Sequence, residues 1–73
     1  MGRKMSDCAS GEKVLIRAVE ITDKATLKRL ADLGIFPGSA VEICKNVDGQ
    51  IIIGVAEARV SIERLISSQI IVA

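Results

Sequence analysis

Histidine, tryptophan and tyrosine are absent from this 73-residue chain, and Phe36 and Pro37 are its only aromatic residue and its only proline. Without imidazole, neither a Ser-His-Asp nor a Cys-His nucleophile pair can be assembled. The two cysteines, Cys8 and Cys44, lie far apart and show no CxxC or Cys/His spacing of the kind a tight metal site needs. A small secreted domain would usually carry several paired cysteines, so these read as reduced cytosolic thiols. No glycine-rich phosphate loop opens a helix, because Gly34-x-x-x-Gly38 spans Pro37 and follows a helical pattern instead. The carboxylates are scattered from Asp7 to Glu63, with no pair placed for general acid–base work. The chain therefore reads as non-catalytic and without a cofactor.

Charge of one sign is also missing. Lys and Arg number ten against nine Asp and Glu, a net charge of +1. A nucleic-acid binder normally shows a strong basic excess, and steady attachment to an anionic membrane surface needs one too. The longest apolar run, Ile51 to Ala56, falls far short of the ~18 residues of a membrane-spanning helix. Arg3 and Lys4 have no apolar stretch behind them, so the N-terminus does not read as a signal peptide.

What is present is aliphatic. Apolar residues make up 49% of the chain, so the core must be built from Ile, Val, Leu and Ala. A chain of this size buries about 60–65% of its unfolded surface, enough for one modestly stable domain. Residues 1–10 are polar and aperiodic and are expected to form a flexible tail, with the domain spanning 11–73. Lys13 to Ile21 reads as a strand with Val14 and Ile16 on one face; Val19 and Ile21 are out of phase, and a bulge near Ala18 would restore the register. Thr22 or Asp23 is expected to cap a helix from about Asp23 to Leu33. Its polar side carries Lys24, Lys28 and Arg29 against Asp32. Ser39–Asn46 and Gln50–Ala56 form a hairpin around Asp48-Gly49, and the unbroken Ile51-Ile52-Ile53 suggests cover on both faces. Glu57-Ala58 turns the chain into the strand Arg59–Ile62. A helical turn over Glu63–Ser68 and a closing strand Gln69–Val72 follow. Five short strands and one helix indicate a mainly β fold, a small and strongly bent barrel.

The densest information lies in residues 30–43. Leu27, Leu30 and Leu33 recur along one helix side. Gly34 follows, where a left-handed residue closes a helix without steric cost, with Ile35 as its apolar contact. Pro37-Gly38 has the chemistry of a type II turn, and Val41 and Ile43 then alternate with Glu42.

Arg29, Leu30, Asp32, Leu33, Gly34, Ile35, Pro37, Gly38, Val41 and Ile43 together resemble the signature of the FeoA family. The likeness continues through Asp48-Gly49, Ile51–Ile53, Arg59–Ile62 and Ile70–Val72. It implies an SH3-like barrel with a helix after the first strand. It further implies a small cytoplasmic accessory protein of ferrous iron uptake, recruited to the inner face of the membrane by binding the cytosolic part of the FeoB transporter. Three positions depart from the family pattern: Ala58 stands where relatives often carry Gly, Ser67 where they carry Ala, and Phe36 fills a slot that is commonly polar.

Lys28, Arg29, Leu33, Ile35 and Phe36 are the expected partner-binding residues, held by the structural turn Gly34, Pro37 and Gly38. Phe36 has two readings, a ring folded over the core beside Leu33 or an exposed anchor. No metal ligand set is expected; at most Cys44 with Glu42 or Asp48 offers a weak transition-metal site. Two further readings are a relative of the SH3-like regulatory domain of DtxR-type metal repressors and a KOW-like RNA-binding barrel. The second fits poorly, because such domains rely on basic grooves and stacking aromatics.

Overall fold

The computed structural model describes residues 2–47 and 50–73. Along them run β1 (Arg3–Lys4), a 3₁₀ turn (Met5–Asp7), β2 (Lys13–Val19), α1 (Lys24–Asp32), β3 (Ala40–Val47), β4 (Gln50–Val55), β5 (Ala58–Glu63), α2 (Arg64–Ser67) and β6 (Ile70–Val72). The strands make one antiparallel six-stranded sheet in the order β1-β6-β2-β3-β4-β5. The architecture is the expected SH3-like one, roughly barrel-shaped, with β1 and β5 left as unjoined ends.

All five expected strands form, and β1 is a sixth. On β2 the pairing steps from Ile16↔Val72 to Ala18↔Ile71, so Arg17 is the extra residue of the expected bulge. That shift lets Val14, Ile16 and Ile21 all reach the core, with Val19 packed against it. A second shift, on β3, runs from Ile43↔Ile53 to Lys45↔Ile52 and leaves Cys44 unpaired. Val41 and Ile43 face inward before it, while Lys45 beyond it is exposed. Ile51 and Ile53 are fully buried but Ile52 is only half-buried, so β4 is covered completely on one face alone. The Asp48-Gly49 hairpin tip lies outside the described residues; its flanks, Val47 and Gln50, are paired.

Within the expected tail, residues 3–8 are docked on the sheet and core. Arg3 and Lys4 pair with Val72 and Ile71, and Met5 and Cys8 are buried in the core. Asn46, on the far side of the Cys44 bulge, donates from Nδ2 to the carbonyls of Ser6 (3.1 Å) and Cys8 (2.7 Å). Arg3 and Glu12 form an ion pair at 3.0 Å. The Arg3 hydrogen bond, with a second from the Ala9 amide, holds the Glu12 carboxyl below the usual carboxylate range. Burial pushes the Cys8 thiol up, which keeps it a protonated core group. Each fully buried Met or Ile side chain contributes about 1.5–3 kcal/mol, so docking this segment outweighs its lack of local periodicity.

Candidate functional site, the exit corner of the helix

Asp23 caps α1: its carboxylate accepts from the Thr26 backbone N–H at 3.0 Å and from the Thr26 hydroxyl at 2.5 Å. These bonds, the hydroxyl first, hold the Asp23 carboxyl below its ordinary range. Leu30 is buried and Leu27 partly so, while Leu33 at the C-cap is 42% exposed. The helix ends in a Schellman motif. Gly34 N–H donates to the Ala31 carbonyl (3.0 Å) and Ile35 N–H to the Leu30 carbonyl (2.8 Å), with Gly34 at φ 94°.

The chain then turns through Phe36-Pro37-Gly38-Ser39, closed by Ser39 N–H to the Phe36 carbonyl at 3.0 Å with Gly38 at φ 95°, the type II geometry. Two ties fasten the turn to β2: Gly38 N–H to the Ile16 carbonyl and Ile16 N–H to the Ser39 carbonyl, both 2.8 Å. The Ser39 hydroxyl donates back to the Gly34 carbonyl at 2.6 Å. The corner is therefore braced by three backbone hydrogen bonds and by the Ser39 side chain.

Of the five expected contact residues, four are exposed and one is not. Lys28, Arg29, Leu33 and Phe36 face solvent, whereas Ile35 is 1% exposed and belongs to the core, as the apolar partner of the Schellman cap must. Phe36 is 46% exposed, so its ring does not fold over the core beside Leu33.

Arg29 and Leu33 share a groove of about 210 Å³ with Leu30 and, from the opposite side, Val60, Ser61, Ile62, Glu63 and Ile66. Sequence reasoning missed that opposite wall. The alternation of exposed Arg59, Ser61 and Glu63 with inward Val60 and Ile62 was its available signal. Glu42 is exposed and Cys44 half-buried, both lining a shallow cleft with Glu57 and Arg59. Among the described residues no group of three His, Cys, Asp or Glu side chains lies close enough to hold a metal ion. No helix among them is long and apolar enough to cross a membrane.

Among solved structures, the crystal structure of an iron uptake regulatory protein (FeoA) is similar at 22% identity and a TM-score of 0.86, over 99% of this chain and 94% of that one. The FeoA protein from Chlorobium tepidum matches at 20% identity and TM-score 0.83, over 96% and 68%. A manganese-dependent transcriptional repressor matches at 20% identity and TM-score 0.88 over 99% of this chain but only 41% of the repressor. At these identities the likeness establishes the shared fold. No curated protein matched the sequence. The FeoA domain model matches residues 3–73, including the N-terminal segment that docks on β6, and the chain thus belongs to the FeoA family of ferrous-iron-transport-associated domains.

Proposed function

We propose that this protein is a non-catalytic interaction module of ferrous iron uptake that docks on the cytosolic region of a FeoB-type transporter. The observation that carries the reading is the braced corner of a FeoA domain, which presents Leu33 and Phe36 to solvent beside Lys28 and Arg29. Large apolar side chains held out on rigid backbone lose little ordering entropy on docking. Arg and aromatic groups are also the residue types that dominate binding hot spots. The domain works in the cytoplasm, and the transporter recruits it to the inner face of the membrane.

The test is a pull-down on the transporter's cytosolic region with wild type, Phe36→Ser and Arg29→Glu, after circular dichroism shows that both variants fold. Since neither side chain is buried, both variants are expected to fold, and each is expected to lose about tenfold or more in affinity, the range of an anchor residue. Unchanged binding in both would move the interface away from this corner.

A further inference from the structure

The sheet has two free ends, and they differ. β1 is two residues long, a blunted edge of the kind proteins use to prevent pairing. β5 is six residues long, pairs with β4 without a register break, and carries no proline. Among the described residues, no backbone hydrogen bond outside the β4 pairing involves residues 58–62. A groove of about 210 Å³ lies between β5 and Arg29, Leu30 and Leu33 of α1.

The orientation of the unpaired groups follows from the turn. Val55 and Ala58 close a two-residue loop, so they form a hydrogen-bonded pair, and bonding alternates from there. Ala58, Val60 and Ile62 therefore bond to β4, while Arg59, Ser61 and Glu63 turn their amides outward. Their side chains are exposed as well. The free edge thus reads cation, neutral, anion, at equal spacing.

That pattern is its own complement. We propose that two copies of this chain associate by antiparallel pairing of their β5 edges about a two-fold axis at Ser61. Ser61 then pairs with Ser61 of the second copy, and Arg59 lies opposite Glu63 of the second copy in both directions. The two six-stranded sheets join into one. The interface is isologous, so each charge pair occurs twice. A foreign strand would have no use for this symmetry, and the proposal does not depend on the transporter-binding reading.

Sedimentation velocity on the full chain across concentrations up to about 1 mM, the weak end of specific association, tests it. Wild type is expected to show a concentration-dependent dimer that weakens with added salt. Arg59→Glu alone and Glu63→Arg alone each place like charges opposite one another twice, and each is expected to weaken the dimer about tenfold or more. An equimolar mixture of the two variants regains opposite pairing and is expected to form a heterodimer, and the double exchange Arg59→Glu/Glu63→Arg to restore the homodimer. Ser61→Pro removes an outward N–H that β4 does not use, so it should fold yet stay monomeric. A monomeric wild type at every concentration overturns the proposal. So does a dimer indifferent to both charge reversals, or a mixture that fails to pair.

Discussion

The helix exit and the β4–β5 turn both reverse the chain through positive-φ backbone, but only the first uses glycine. Gly34 and Gly38 sit at φ 94° and 95° in one; Ala56 and Glu57 sit at φ 48° and 67° in the other. The turn before Arg59 is thus Ala56-Glu57 rather than Glu57-Ala58, a type I′ loop whose twist suits the strands it joins. Each L-residue there costs about 1–2 kcal/mol, and the unbroken ladder from Val55↔Ala58 to Gln50↔Glu63 holds the turn in place. The helix exit has a second constraint. A Cβ on Gly34 would stand 2.6 Å from Val55 Cγ1, whereas one on Gly38 would meet nothing within 4 Å. Val55 therefore touches both regions, closing one turn and filling the space that the glycine of the other leaves. Backbone strain is tolerable where a ladder over-determines it, while a steric overlap with the core is not.

The largest expected effect is at Gly34. Gly34→Val adds overpacking against Val55 to the φ penalty, for a loss of about 2–5 kcal/mol in denaturant unfolding. Gly38→Ala carries the φ penalty alone, about 1–2 kcal/mol. Val55→Ala should cost less in the Gly34→Val background than in wild type. Equal losses at the two glycines would break the comparison, leaving conformation as the whole explanation.

A smaller effect, of opposite sign, is expected at the other turn. Glu57→Gly relieves a left-handed L-residue and should stabilise by about 0.5–1 kcal/mol, read as a raised urea midpoint at unchanged slope. No gain would mean that the ladder absorbs the strain without cost.

The smallest effect concerns the entrance of the same helix, held by charge rather than conformation. The folded Asp23 carboxyl lies below its ordinary range. Its stabilisation is therefore complete above the unfolded-state value and is lost as pH falls through the folded one. Asp23→Asn, which caps without titrating, should flatten the acid side of a melting-temperature profile by a small amount. The Arg3–Glu12 pair adds to the residual slope, since the Glu12 carboxyl is lowered too. An identical profile for Asp23→Asn would remove Asp23 from the acid response.

Legibility followed distance along the chain. The Asp23 cap, the Schellman exit at Gly34, the Pro37-Gly38 turn and the bulge beside Ala18 were readable because each depends on a few consecutive residues. The same locality misled at Ile35, where apolar character suited either a cap contact or a docking anchor, and the cap requires burial. Ser67, an apparent polar intrusion on an apolar face, is fully buried with its hydroxyl donating to the Arg64 carbonyl at 3.2 Å. A helical turn always offers that partner to a serine.

The sequence by itself determined the aliphatic core, the succession of β2 to β6 along the chain and the helix with its glycine exit, since composition and short-range stereochemistry decide those. Only the tertiary structure decided that Met5 and Cys8 are core and that Cys44 bulges so that Asn46 can tie the N-terminal segment. It alone also showed that Ala56 and Glu57 adopt left-handed backbone, that Phe36 stays in solvent and that β5 ends the sheet with an open edge. Each of these depends on contacts between residues distant in sequence, where pairing and burial outweigh what any residue prefers alone.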